Sequence, residues 1–102
     1  MEKIDKELLQ EFLVEVEENL QELEPNLLLL EKDCDNQTLL NDCFRNLHSI
    51  KGASGYMGFK KMCEAAHCLE NLFDKVRQGS MSFQEESLDL VFDGVDLIKK
   101  LN

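Results

Sequence analysis

Apolar residues recur along this chain at intervals of three and four, in four separate stretches. In the first, Leu9, Leu13, Val16, Leu20, Leu23, Leu27 and Leu30 keep a strict 4-3-4-3-4-3 rhythm. That is the inward stripe of one helix of about 25 residues. Pro25 falls inside it. A proline there removes the bond to the Gln21 carbonyl, so a kink, or a break with immediate restart, is expected. The run from Asp33 to Gln37 reads as a turn, with Asp35 or Asn36 as a cap for the next helix. This second helix carries Leu40, Cys43 or Phe44, Leu47 and Ile50 inward, and closes in the stretch Gly55 to Phe59. The third repeats the rhythm through Met62, Ala66, Leu69, Phe73 and Val76 and ends near Gly79. Ser82 with Glu85 three residues on fits a capping box, and the fourth helix turns Leu88, Val91, Val95 and Ile98 inward.

Connections of about 4–6 residues make successive helices antiparallel neighbours. The pattern therefore predicts an all-α fold, an up-down-up-down four-helix bundle. No useful length of the chain alternates with period two. One domain spans 1–102, with no linker or low-complexity tract.

Size and composition agree. A compact chain of 102 residues buries about 60–68% of the surface its unfolded form exposes, enough for one core without staples. The residues are 43% hydrophobic and 31% charged, with one proline. The net charge of −10 argues against nucleic acid and anionic membrane as partners. The longest aliphatic run, Leu27–Leu30, is far too short to span a membrane, and the charged start carries no signal segment. A cytoplasmic protein is expected. Cys34, Cys43, Cys63 and Cys68 show no disulfide-framework or CxxC spacing, and in a reducing compartment they read as small core or surface residues.

The charge is unevenly spread. From Cys43 to Cys63 there are four basic residues, Arg45, Lys51, Lys60 and Lys61, and no acid. An acidic protein with one such island is expected to reserve it for an anion.

Within the island lies the segment Leu47 to Phe59, where a histidine is followed by Lys51 and three glycines. With Leu47 at the centre of the buried face, His48 lies about 100° round, at the border of core and solvent. Lys51 falls at about 40°, Phe44 at about 60°, Gly55 at about 80° and Gly52 at about 140°. Glycine inside a helix costs roughly 0.5–1 kcal/mol relative to alanine, and here that cost falls twice beside one histidine. Bare backbone would let a partner come flush against the imidazole; a close helix crossing is the packing alternative. On the third helix Cys63, His67, Glu70 and Asp74 form one line beside the apolar stripe. Antiparallel packing then sets a rim His–Glu pair opposite His48. A carboxylate that fixes the proton on one ring nitrogen leaves the other lone pair free to attack.

The segments Phe44–Phe59 and Ala65–Arg77 closely resemble the histidine phosphotransfer (HPt) domain found at the N-terminus of CheA-type chemotaxis histidine kinases. The pattern His-Ser/Thr-x-Lys-Gly-x-Ser/Ala, then Gly-Phe, then Ala-His-x-x-Glu is met in order and spacing. The likeness runs from about Leu8 to Ile98 and is strongest from Phe44 to Arg77. The resemblance implies a phosphohistidine carrier. His48 would take a phosphoryl group from a kinase ATP-binding domain and yield it to an aspartate of a response regulator. The carrier would not be an enzyme by itself and would hold no cofactor; ATP and magnesium would belong to the kinase domain. Lys51, His67 and Glu70 would surround the nucleophile, with Glu70 holding the Nδ1 proton, Lys51 attracting phosphate and His67 supporting them. Ser49 would offer a polar contact, and Gly52 and Gly55 an open approach. Phe44, Arg45, Tyr56, Met57, Phe59 and Lys60 would serve partner docking, and a monomer is expected because the site must visit two partners in turn.

Relatives of this type usually carry a fifth helix and further domains. This sequence stops at Asn102, just after the expected fourth helix, and shows no ATP-binding motif. It is expected to be an N-terminal fragment of a larger histidine kinase, a stand-alone carrier being the alternative. Two other readings stand beside it: an adaptor bundle whose histidine is not phosphorylated, and a metal-dependent bundle using Cys63, His67 and His48. The second lacks a closed four-ligand set.

Overall fold

The computed structural model describes residues 5–81 and 85–102, with side chains from 88 onward in the second group. Among the described residues four helices occur in order, α1 (Lys6–Leu30), α2 (Gln37–Met57), α3 (Lys60–Arg77) and α4 (Glu85–Leu101). No strand occurs among the described residues. The helices pack as an antiparallel bundle, α2 between α1 and α3, and α4 chiefly against α3. The molecule measures 44 × 21 × 20 Å, so its long axis is set by α1.

Four of the helix ends have a clear local cause. Asp5 caps α1 by accepting from the Glu7 amide at 2.7 Å. Asn36 caps α2 through Leu39 N–H at 3.1 Å, which selects Asn36 over Asp35. The end of α2 is a Schellman turn. Phe59 N–H reaches the Ser54 carbonyl at 2.9 Å and Gly58 N–H that of Gly55 at 3.2 Å. Gly58 sits at φ +80°, which a residue with a Cβ adopts only at a cost. Gly79, at φ +83°, closes α3 in the same way. The α2–α3 connection is thus only Gly58 and Phe59, shorter than expected from the spacing of the stripes. The capping box at Ser82 and Glu85 lies outside the described residues.

The core is the four stripes facing one another. Its central members, among them Leu23, Leu27, Leu47 and Phe73, are fully buried, each worth on the order of 1.5–3 kcal/mol in transfer from water. The start of the first stripe differs from expectation. Phe12 is buried, whereas Leu9 and Leu13 are half-buried at the margin. A strict heptad drifts against a straight helix of 3.6 residues per turn, and Phe12 lies about five whole turns from Leu30. Phe12 also stacks on Phe59, ring centroids 5.0 Å apart. Nor does Pro25 break α1, which continues to Leu30. The proline is on the exposed face, where solvent can take the carbonyl it leaves unpaired.

Candidate functional site

Antiparallel packing of α2 on α3 brings three residues from two helices into one hydrogen-bonded group. Glu70, on α3, is 5% exposed although charged. Its Oε2 bonds Nδ1 of His48, and its Oε1 accepts from Lys51 Nζ at 2.6 Å. Burial alone would push this carboxyl up. Hydrogen bonds from Lys51 and His48, and the positive charge they bring, outweigh it and hold the group below its ordinary value of 4.5. Glu70 therefore stays ionised and accepting.

His48 is the exposed member, its side chain 63% accessible. With Nδ1 committed to Glu70, the ring keeps Nε2 as its unengaged nitrogen. A neutral imidazole fixed in this tautomer presents a lone pair in the ring plane, directed away from the carboxylate. Phe44, one turn earlier on α2, lies nearly parallel to it, with centroids 6.2 Å apart and planes 16° apart. One turn later, a Cβ built on Gly52 would meet nothing within 4 Å, so that flank is open. At Gly55 a Cβ would stand 3.4 Å from Cys63 Sγ, at the seam with α3. Open approach thus describes Gly52, while at Gly55 a Cβ would make only ordinary van der Waals contact with α3.

A model of the Hpt domain family matches residues 7–101. The chain belongs to that family. Among solved structures, the CheA phosphotransferase domain from Thermotoga maritima superposes with TM-score 0.89 and 39% identity, over 97% of this chain and 95% of that one. A histidine phosphotransfer domain of CheA matches with TM-score 0.88 and 41% identity, over 95% and 73%. Chemotaxis protein CheA of Listeria monocytogenes is 41% identical over 81 residues, 79% of this chain and 13% of that protein. That of Bacillus subtilis is 38% identical over 90 residues, 88% and 13%. The chain therefore spans about an eighth of the length of these curated relatives.

Within this Hpt domain the other expected residues fall in different places. His67 is exposed on α3 and makes no hydrogen bond to His48 or Glu70 among the described residues. The rim His–Glu pair does not form, because Glu70 turns inward under α2 while His67 faces solvent. Lys51 is not a free anchor for phosphate, since Glu70 holds its ammonium group. Arg45 pairs with Asp42, just outside the basic island. Two of the island's four cations are therefore matched by acids, and the island is less of an anion reserve than its sequence implied. Ser49 is exposed and lines a polar groove of about 620 Å³ between α1 and α2, with Asn19, Glu22 and Asn46 among its walls. Tyr56 is 80% exposed beside half-buried Met57. Phe59 is held against Phe12, and Lys60 is exposed in the first turn of α3.

Two features of the site were not read from the sequence. Asn46, buried two residues before His48, donates to Asn19 at 3.0 Å and Glu22 at 2.9 Å, fastening α1 to α2. Its polarity at an inward position was the available signal. Arg77 lies with its guanidinium carbon 4.0 Å over the Phe44 ring; no spacing rule within one helix reveals that contact. Among the described residues no three His, Cys, Asp or Glu side chains converge to hold a metal ion. No described helix is long and apolar enough to cross a membrane.

Proposed function

We infer that this Hpt domain carries a phosphoryl group on His48, between the ATP-binding domain of a CheA-type histidine kinase and a receiver aspartate of a response regulator. One observation carries the assignment of the residue: His48 is bonded at Nδ1 to a buried, ionised Glu70 while the rest of its ring faces solvent. Nε2 attacks the terminal phosphorus of ATP. The new N–P bond forms as the bond to the bridging oxygen breaks, and that electron pair leaves on ADP. The ring gains positive charge as its lone pair is shared, and Glu70 offsets it through Nδ1–H. The return step, in which the receiver carboxylate attacks the same phosphorus, releases the ring to its starting state. Lys51 acts here mainly by holding Glu70 in place.

The domain is carrier and substrate, with ATP and magnesium bound by the kinase domain. The kinase and the receiver use the same rim in turn, through Phe44, Arg45, Gly52, Tyr56, Met57 and Lys60, and His67 borders it on α3. As in its CheA relatives, the domain would form part of a longer kinase working in the cytoplasm.

The test is phosphotransfer. Incubation with a CheA-type kinase domain and labelled ATP should give acid-labile, alkali-stable label, and His48→Gln should abolish it. Label retained in His48→Gln would refute the assignment to His48. A folded parent protein that takes no label from kinase or receiver would favour the adaptor reading instead.

A further inference from the structure

On a second side, away from Glu70 and Lys51, His48 lies beside Phe44, which is itself backed by further residues. Phe44 lies nearly parallel to the imidazole, and the guanidinium of Arg77, from the last turn of α3, covers the Phe44 ring at 4.0 Å. Arg77 is itself fixed. Its Nη2 donates to Asp74 Oδ1 at 2.6 Å, and Asp74 Oδ2 accepts from Gln78 Nε2 at 3.2 Å. Asp74, which the sequence offered only as part of a rim line, thus anchors the cation that covers Phe44.

The geometry has a use because one hydrogen bond does not orient a ring. Held at Nδ1 alone, the imidazole can rock about that bond, and the Nε2 lone pair swings with it. Nucleophilic displacement at phosphorus requires attacking and leaving atoms in line, so a tilt slows the transfer. A neighbouring ring in a near-parallel plane limits the rocking. An Arg over the aromatic face, pinned by a carboxylate, limits the movement of that ring in turn.

Resting on the reading of His48 as phosphoryl carrier, we propose that Arg77 is a positioning residue: through Phe44 it holds the imidazole plane so that Nε2 meets the phosphoryl donor in line. Arg77 does not touch the reacting atoms. Its charge is balanced by Asp74, so it does not act by attracting the donor.

Three variants test this, in the intact domain: Arg77→Met, which keeps the apolar stem and removes the cation; Arg77→Lys, which restores a cation; and Phe44→Leu. Two readouts are used. One is kcat and KM for label uptake from a CheA-type kinase domain and ATP; the other is the His48 ring proton and nitrogen resonances. Arg77→Met and Phe44→Leu should both lower kcat about three- to tenfold, as expected for a lost orientation; Arg77→Met should do so at unchanged KM, whereas Phe44→Leu, which also alters the docking rim, should raise KM as well. They should also move the His48 ring resonances away from the parent's, and Arg77→Lys should recover most of both. Parent kcat and parent ring signals in Arg77→Met would overturn the proposal. So would a loss that Arg77→Lys fails to recover and that tracks the fall in melting temperature, since Arg77 would then be merely structural. Should the parent take no label at all, the carrier reading falls. The ring resonances still decide whether Arg77 orients His48.

Discussion

Lys51 donates to Oε1 of Glu70 at 2.6 Å, the oxygen that His48 leaves free. One buried carboxylate thus binds a cation and an imidazole at once, and its two roles can be separated. Glu70→Gln keeps an oxygen that can accept from Nδ1–H but loses the charge; Glu70→Ala loses both. We expect Glu70→Gln to slow phosphoryl uptake about tenfold, equivalent to about 1.4 kcal/mol, and Glu70→Ala to slow it further. Equal rates in parent and both variants would show that the carboxylate does not serve the transfer.

The same carboxylate makes stability depend on pH. Its pKa is lower in the folded protein than the ordinary 4.5, so its contribution is complete above that value. It is lost as pH falls through the depressed folded value. Urea unfolding of parent and Glu70→Gln should show a constant parent advantage above pH 4.5 that shrinks as pH falls further below it. A difference that stayed constant there too would contradict the coupling.

Much of this was legible in the sequence, because burial of apolar stripes depends on period, and period is written residue by residue. The buried apolar residues of α3 and α4 were all identified that way. Phe12 was not, since a strict 4-3 rhythm selects Leu13 where a straight helix needs the residue before it. The histidine, its lysine and its glutamate were likewise visible as a pattern. The resemblance also implied that Glu70 holds the Nδ1 proton, as it does; that the same carboxylate holds Lys51 was not read. A wheel places Glu70 at a rim; only the crossing of α2 over α3 shows that it is buried, ionised and shared. The contact of Arg77 with Phe44 lies still further from local rules. It joins the end of one helix to the first half of another, across a two-residue turn that the sequence suggested would be longer.

Gly94 lies where α4 packs against Leu69 of α3. A Cβ there would stand 3.0 Å from both Cδ atoms of Leu69, so that buried side chain would have to give by a few tenths of an ångström. Alanine gains about 0.8–1 kcal/mol of helix propensity, against roughly 1–3 kcal/mol for overpacking. Gly94→Ala should therefore lower stability by about 1 kcal/mol, read as a fall in the urea midpoint. Adding Leu69→Val, which removes the crowded Cδ atoms, should recover part of it. A midpoint raised by Gly94→Ala alone would mean that α4 shifts freely.

The four thiols should differ in reactivity according to burial. Cys43 is fully buried, and burial, with a smaller contribution from Asp42, pushes its thiol from 9.0 up to about 12. Cys68 is exposed. Alkylation at mildly alkaline pH should modify Cys68 first and Cys43 only at the rate of unfolding. Mass spectrometry of timed samples reads the order directly, and early modification of Cys43 would show that the α2 core opens locally.

Gly52 separates the demands of fold and transfer. A side chain there would meet open space, and the helix would gain from losing its glycine. Gly52→Ala should raise stability by about 0.5–1 kcal/mol. Its methyl group, one turn from His48 on the open flank, should nevertheless hinder a partner that must bring phosphorus to Nε2. Gly52→Gln should hinder it more, while His48 keeps its bond to Glu70. The expected result is a domain that melts higher and takes up label more slowly, the loss growing with side-chain size. A Gly52→Gln variant that matches the parent's rate would place the partner's approach on another side of the ring. A variant that loses stability would instead mean that the bare backbone is needed by the helix itself.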